Sequence, residues 1–464
     1  MSLRNINMES LILLLSYISM CAAHWTSPNF VTNKDQYLNM DEQDCLDASP
    51  HDHLLINKTR PIRYTINFDI HPSYNRTTST TSIMLIVDEP TRDIRLYAYE
   101  LRILENMISL KNINTSSLEF YTVHGYYYCR QSQILDLQFD KIIIAGVYNL
   151  TIYSEVASPM KSIFEYEYSN ENTNCEKARL FIMNFETRGA RRMIPCWDQP
   201  GIKAIFNISV KHPKEYRSFS NMPKILKDCR QDFCWTYFNE TPLISPTTIV
   251  IALVENNVKS NETSEDEIDL IWYRSELETV TLLHTLRTIE QVKVFLIFMT
   301  GLLNMPKRNH ILFPSNIINP IGYFGLIIYR EKDLLYNGYF DFAGCKLYIT
   351  EIISYQMARE QFRGVITGFW WTDLWLGESL SKLYSHYIVD KIFSHLQLMD
   401  LYAIQILQQT RYQEINCQMK ALSEYNIQVV DEIDVALCSH WYYNKGECLE
   451  IKKNAHMFLN GNSV

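Results

Sequence analysis

The sequence predicts an α+β protein in which an antiparallel β-sandwich-like domain comes first and a mainly helical domain follows. From Pro61, short runs such as IRYTINFDI, TSIMLIV and TIVIALV alternate apolar with polar residues and are rich in Thr, Ile and Val. Runs of this length with turn residues between them are typical of sandwich strands. After the polar stretch 255–269, apolar residues recur at helical spacing instead. We therefore predict domains at 54–256 and 257–464.

Two more runs, KIIIAGVYNLTIYS and AIFNISV, are predicted as strands of the first domain. In the second domain, LETVTLLHTLRTIEQVKVFLIFM is predicted as a helix that Gly301 ends. Its apolar end (292–305) carries a lysine and is too short to span a membrane, so we interpret it as a buried helix. Three further helices are predicted from KLYITEIISYQMAREQF, LSKLYSHYIVDKIFSHL and YAIQILQQTRYQEINCQMKAL.

Composition places the chain among ordinary globular proteins. Its 464 residues are 47% hydrophobic and 20% charged, which is enough to bury a large core and argues against disorder. The net charge of −9 gives no electrostatic reason to expect nucleic acid or an anionic membrane as a partner.

The N-terminus predicts entry into the secretory pathway. Arg4 precedes the apolar run LILLLSYISM and the small residues at 21–23, a pattern that indicates a signal peptide at 1–23. The polar residues 24–53 are predicted to be a flexible leader. The alternative is an uncleaved anchor on the extracellular face of the plasma membrane. Seven Asn-x-Ser/Thr sequons support a secreted glycoprotein and begin at Asn57, Asn75, Asn114, Asn149, Asn207, Asn239 and Asn261.

Eleven cysteines are expected to pair for the most part in an oxidising compartment. The pairs that are close in sequence, Cys229/Cys234 and Cys438/Cys448, are the most plausible. Cys196 is predicted to be buried instead of paired. Zinc ligation by cysteines is the weaker alternative, since no CxxC occurs.

Several motifs, in order along the chain, resemble those of one family. Residues 183–223 contain Ala-Arg-Arg and Pro-Cys-Trp-Asp-x-Pro, 325–336 read GLIIYREKDLLY, 370–379 read WWTDLWLGES, and 443–446 read YNKG. These segments are similar to the aminopeptidase N family of zinc metallopeptidases. The resemblance implies that the second domain is thermolysin-like and that residues 319–331 form a strand and a turn. Family members are longer, so we expect this domain to be truncated at its C-terminus.

The family's zinc ligands are replaced in this chain. Where the family has H-E-x-x-H and, eighteen residues later, a liganding Glu, this sequence has Tyr355, Gln356, Arg359 and Glu378. Zinc needs deprotonated ligands, and an arginine is never deprotonated in proteins. A glutamine cannot accept the proton of a zinc-bound water. We therefore expect no catalytic residue, no metal at the vestigial positions Tyr355, Arg359 and Glu378, and no cofactor.

The family's Gly-Ala-Met-Glu-Asn strand, which presents backbone to the substrate, corresponds to Asn319, Pro320, Ile321, Gly322 and Tyr323. Gly322 stands where the family's amine-binding Glu is, and Pro320 removes a backbone donor. These five positions are therefore predicted to be a vestigial substrate site.

Two other positions complete the predicted site, and two positions already named are predicted to form a pair. Glu186 stands where the family has a second amine-binding acid. Tyr443 matches the tyrosine that stabilises the oxyanion in the family, although a packed tyrosine is the preferred interpretation. Arg359 and Glu378 are predicted to form a buried ion pair in the place of the metal.

The function expected from these observations is that of a secreted, inactive homologue of zinc aminopeptidases that binds a peptide or protein partner. One alternative is a residual metalloaminopeptidase. Another is a structural partner that dimerises with an active aminopeptidase paralogue.

Overall fold

The computed structural model describes residues 37–38, 55, 58–72, 76–113, 120–157, 163–169, 177–185, 188–255, 258–260, 269–274, 277, 279–301, 307–314 and 320–417. The predicted signal peptide and the Cys438/Cys448 pair lie outside these residues. Of the predicted leader, Leu38 is buried and its N–H donates to Ile103 O at 2.9 Å. The predicted domain limits stay predictions.

Strands dominate the chain up to residue 274 and helices dominate it afterwards, as the sequence predicts. The strands are β1 (Thr59–His71), β2 (Arg76–Val87), β3 (Thr91–Tyr97), β4 (Leu101–Ile103), β5 (Ser109–Asn112), β6 (Phe120–Tyr121), β7 (Val123–Cys129), β8 (Ile134–Ile143), β9 (Gly146–Val156), β10 (Ile163–Ser169), β11 (Lys177–Asn184), β12 (Ile205–Pro213), β13 (Tyr216–Ser220), β14 (Lys224–Arg230), β15 (Phe233–Phe238), β16 (Val250–Glu255), β17 (Val258–Ser260), β18 (Asp269–Arg274), β19 (Arg308–Phe313), β20 (Ile321–Tyr323) and β21 (Leu326–Arg330). The α-helices are α1 (Ala190–Met193), α2 (Leu283–Thr300), α3 (Gly344–Arg359), α4 (Leu374–Ile392) and α5 (Leu398–Cys417), and a π-helical turn at Glu360–Val365 prolongs α3.

A 9-stranded sheet forms one layer of the first region, in the order β14-β15-β12-β1-β2-β9-β5-β6, with β4 paired to β9. Burial alternates along its strands because only one face of the sheet is packed against the core. In β1, for example, Tyr64, Ile66 and Phe68 are fully buried, while the residues between them are half-buried. A 3-stranded sheet (β3-β8-β7) and a 4-stranded sheet (β10-β11-β16-β13) contribute to the same core.

Two details of the predicted sandwich are corrected. The pair β1–β12 is parallel, so the large sheet is not wholly antiparallel. The run KIIIAGVYNLTIYS is two strands, since β8 ends at Ile143 and β9 begins at Gly146. A glycine is well suited to this break because it lacks a side chain and permits a tight connection.

The second region contains a sheet that the sequence analysis did not predict. Its 5 strands have the order β17-β18-β19-β21-β20, with parallel pairs β18–β19 and β19–β21. All residues of β19 are buried, so this strand lacks the alternation by which half-buried strands are recognised. Of this sheet, only a strand and a turn at 319–331 were expected. The structure has two strands there, β20 and β21, in a hairpin that turns at Gly325 with φ +80°.

Helix α2 ends at Gly301, as predicted, with that glycine in the left-handed region at φ 65°. The prediction that its C-terminal part is buried holds for one side of the helix only. Val292 and Leu296 are buried against the other helices, but Phe298 is 86% exposed. Apolar residues lie on both sides of this helix, and only one of those sides is packed. In the part of the chain described, no helix is both long and apolar enough to cross a membrane.

The cores of the two regions are continuous. Val250 and Ala252 of β16 pack in one buried cluster with Ile311 of β19 and Ile328 of β21. Asn221 connects the regions by hydrogen bonds, since its Nδ2 donates to Thr248 O (2.8 Å) and to Phe324 O (2.7 Å).

Candidate functional site

Two helices and one short strand position the predicted site. Helix α3 carries Tyr355 and Arg359 one turn apart, and α4 carries Glu378 in its second turn. Helix α3 forms there because Ile349, Ile353 and Met357 recur at a spacing of four and are all buried. Strand β20, at the end of its sheet, lies beside these helices.

The carboxylate of Glu378 is bound by three side chains. Tyr355 Oη donates to Oε2 at 2.5 Å, and Arg359 Nε donates to Oε1 at 2.8 Å. Arg363 Nη1 donates to the same Oε1 at 2.6 Å. The Glu378 side chain is 4% exposed. The three vestigial zinc positions therefore meet, and the expected contact between Arg359 and Glu378 is present.

Arg363 was missed by the sequence analysis. It lies in the π-helical turn that follows α3, and its side chain is 14% exposed. The signal that could have found it is its spacing, four residues after Arg359, which places both guanidinium groups on one side of a helix. With Arg363, the cluster holds two cations and one anion.

The protonation states of this cluster follow from burial and from its neighbours. Burial raises the pKa of Glu378, but Arg359 and Arg363 outweigh it and bring the pKa down to about 2. Burial and the adjacent Glu378 carboxylate raise the pKa of Tyr355 well above its usual value. At neutral pH, an ionised Glu378 therefore accepts from a neutral phenol and from two guanidinium groups.

Gln356, at the position of the family's general base, is buried and directed away from this cluster. Its Nε2 donates to Pro320 O at 3.1 Å. A Cβ on Gly322 would lie 2.7 Å from Gln356 O and 2.9 Å from Gln356 Oε1. Helix α3 and strand β20 are thus too close for any side chain at the position of the amine-binding acid.

A second buried ion cluster adjoins the site at Glu360, and it was not predicted from the sequence either. Arg308 donates to Glu360 Oε2 and to Asp269 Oδ1, both at 2.6 Å. Glu360 Oε1 in turn accepts from Gly325 N at 2.6 Å. Because Glu360 directly follows Arg359, this cluster fixes the end of α3 to the hairpin of β20 and β21. Strand β19, which carries Arg308, was not predicted, so the partner of Glu360 could not be foreseen.

A cleft of about 130 Å³ adjoins the site and is lined, among others, by Gly322, Tyr323, Arg359, Arg363 and Leu380. Of the predicted substrate positions, Pro320, Ile321, Gly322 and Tyr323 are described. Asn319, Glu186 and Tyr443 lie outside the described residues.

The predictions for Cys229/Cys234 and for Cys196 are confirmed, whereas Cys345 is free although most cysteines were expected to pair. Cys229 and Cys234 form a disulfide across the β14–β15 hairpin. Cys196 is buried and unpaired. Cys129 is also disulfide-bonded.

Comparison with known proteins matches two domain families to this chain. Residues 60–247 match the peptidase M1 N-terminal domain, and residues 287–455 match the peptidase family M1 domain.

Several curated aminopeptidases are similar to the chain. Aminopeptidase M1 of Arabidopsis thaliana is 27% identical over 322 residues, which is 68% of this chain and 36% of that protein. Glutamyl aminopeptidase of Rattus norvegicus is 24% identical over 335 residues (70% and 34%). Aminopeptidase N of Bos taurus is 28% identical over 261 residues (54% and 26%). The chain thus spans at most 36% of the length of these relatives.

These matches correct the expectation that the chain has no cofactor. The matched peptidases are zinc metallopeptidases, so zinc is the cofactor expected of a protein with these domains. The side chains of Tyr355, Arg359 and Glu378 themselves fit a zinc ion poorly. Only Glu378 is a usual zinc ligand, and two guanidinium groups already contact one of its oxygens. In the described parts of the chain, no group of three or more His, Cys, Asp or Glu side chains is arranged to hold a metal.

Proposed function

The chain belongs to peptidase family M1, and from this membership we propose that it is a secreted homologue that binds a peptide or protein partner without hydrolysing it. The observation that carries the proposal is that both carboxylate oxygens of Glu378 already accept hydrogen bonds, which Tyr355, Arg359 and Arg363 donate. An anion bound by three donors in a buried site is a structural link, and its oxygens are not free for the ligand role that the family's Glu has at this position.

The position of the general base supports the same proposal. Hydrolysis by this family's chemistry needs a carboxylate that takes a proton from the attacking water. Gln356 has no ionisable group, and its amide is engaged by Pro320 O. At the position of Gly322 there is no acid to bind the α-amino group of a peptide, and the spacing to α3 leaves no room for one there.

Binding is supported by what remains of the cleft. Strand β20 is at the edge of the described 5-stranded sheet and lines the cleft through Gly322 and Tyr323. An edge strand beside a cleft can pair with an extended peptide through the main chain, independently of a metal.

Secretion is supported by the disulfide chemistry. The bridge Cys229–Cys234 and the bonded Cys129 are of the kind that persists in oxidising compartments. The predicted signal peptide and the sequons point the same way.

The test is an assay of the purified secreted protein on aminoacyl chromogenic substrates in zinc-supplemented buffer, with an active family member as the positive control. We expect no release of amino acid above the blank. Binding of a peptide library would be measured in parallel, and we expect saturable binding that is lost on mutation of the cleft residue Tyr323. Turnover that a chelator abolishes would instead establish the alternative, a residual metalloaminopeptidase. The family membership and the retained Glu378 favour this alternative.

A further inference from the structure

The outer face of the 9-stranded sheet carries asparagines that begin sequons. Asn149 lies in β9 between the buried Tyr148 and Leu150. Asn207 lies in β12 between the buried Phe206 and Ile208. Since successive side chains of a strand point to opposite faces, both asparagines lie on the face away from the core.

Asn239 is on the same face. It directly follows β15, in which Cys234, Thr236 and Phe238 are buried and the residues between them are half-buried. The alternation therefore places Trp235, Tyr237 and Asn239 together on the outer face. Asn239 itself is exposed, and its N–H donates to Pro223 O at 2.9 Å, which continues the pairing of β15 with β14.

An aromatic surface lies next to Asn239. The rings of Trp235 and Tyr237 have centroids 6.1 Å apart and an interplanar angle of 23°. The two rings are nearly parallel and only half-buried, so each leaves part of its apolar surface open to solvent. Such a surface suits the C–H face of a pyranose, because the apolar side of the sugar can leave water there while its hydroxyl groups stay hydrated.

We propose that Asn239 carries an N-linked glycan whose first N-acetylglucosamine packs on Tyr237 and Trp235. The inference rests on the secretory route of the proposed function. In the transfer, Asn239 Nδ2 bonds to C1 of the sugar and loses a proton. The C1–O bond to the lipid diphosphate donor of the secretory lumen breaks, and the lipid diphosphate leaves.

The position of the Thr241 hydroxyl indicates at which stage of folding the glycan is transferred. Thr241 is 5% exposed, and its Oγ1 accepts from Phe206 N at 2.9 Å. A transferase cannot reach this hydroxyl in the folded sheet, so the glycan is added before β12 and β15 pair. For the same reason, Thr241→Ala would remove a buried hydrogen bond as well as the sequon, and Asn239→Gln is the cleaner variant.

The experiment is to secrete the protein from eukaryotic cells behind a supplied signal peptide and to map glycopeptides by mass spectrometry. The Tm would then be measured in a cycle of Asn239→Gln and Tyr237→Ala. We expect Asn239 to be occupied by the glycan. If the contact between sugar and ring is as strong as an aromatic pair, Tyr237→Ala should lower the Tm by about 2–4 °C more in the glycosylated protein than in the Asn239→Gln variant.

Two controls share the face but not the contact. Phe233→Ala removes an aromatic side chain farther along β15, and Asn149→Gln removes a sequon on β9. The loss of Tm caused by Phe233→Ala should be the same with and without the glycan on Asn239. The loss caused by Tyr237→Ala should be the same with and without Asn149→Gln. An unoccupied Asn239, or equal effects of Tyr237→Ala with and without the glycan, would overturn the inference. If the protein were secreted only behind the supplied signal peptide, the proposed function would lose its secretory part and the native chain would not carry this glycan. An unoccupied Asn239 in the secreted protein would overturn this inference alone.

Discussion

Arg359 Nε lies 2.8 Å from Glu378 Oε1, although the two residues are on different helices and nineteen positions apart in sequence. Both side chains are nearly buried, at 12% and 4% exposure. Burying two charges costs free energy, which the attraction between them offsets only when the geometry is close. The contact therefore ties α3 to α4 at the floor of the cleft, and losing either partner would leave a charge in a poorly hydrated place.

Removing the cations should destabilise the fold in two steps. Arg359→Met leaves Arg363 on Glu378, so we expect a loss of about 1–3 kcal/mol in the free energy of unfolding. The double variant with Arg363→Met strands the carboxylate and should cost about 3–5 kcal/mol. Denaturant unfolding measures both. The control is Arg60→Met, whose ion pair with Asp88 is exposed, at 61% and 51%, and should matter by less than about 1 kcal/mol. Equal effects of the buried and the exposed variants would contradict this account.

The stability contributed by Glu378 should depend on pH. Its pKa is about 2 in the folded protein and about 4.5 in its usual state. A depressed pKa stabilises the fold above the unfolded pKa, and this stability is lost as the pH falls towards the folded pKa. The difference in unfolding free energy between the wild type and Glu378→Gln should therefore narrow by about 1.4 kcal/mol per pH unit between about pH 4.5 and pH 2. A difference that stays constant over this range would mean that Glu378 is not held ionised.

Gly322 should not tolerate a side chain. A Cβ there would come within 2.7 Å of the backbone carbonyl of Gln356, so strand and helix would have to separate. We expect Gly322→Ala to cost about 1–3 kcal/mol in unfolding free energy. Gly125→Ala is the control, since nothing lies within 4 Å of its Cβ position. A neutral Gly322→Ala would show that β20 can move, and the acid of the family could then be reintroduced by Gly322→Glu.

Rebuilding the zinc ligands should raise zinc affinity most when Arg363 is also changed. The combination of Tyr355→His and Arg359→His places two imidazoles one turn apart opposite Glu378. In this double variant the guanidinium group of Arg363 would still lie 2.6 Å from Glu378 Oε1, and its positive charge would repel the metal. In a competition titration with a chromogenic chelator, the triple variant with Arg363→Gln should bind zinc at least about tenfold more tightly than the double variant. A metalloaminopeptidase produced by Arg359→His alone would refute this account of the site.

Local pattern accounts for most of the fold that the sequence predicts. Helix α2 and its end at Gly301, the strands β1 and β2, and the bridge Cys229–Cys234 depend on residues close in the chain. The five-stranded sheet does not, because β19 is uniformly buried and its parallel partners are distant in sequence. The side chains of Phe298 and Val294 show the same limit, since periodicity does not tell which apolar face finds a partner.

The sequence by itself determined the positions that meet at the site. Tyr355 and Arg359 lie one turn apart on a helix, and the resemblance to the family's zinc site implies that Glu378 meets them. Tertiary structure decided the balance of charge and the space around them. Arg363 joins the cluster through a π-helical turn, and Gly322 faces α3 too closely for a side chain. Distances between elements follow from the packing of whole sheets and helices, and spacing along the chain does not contain them.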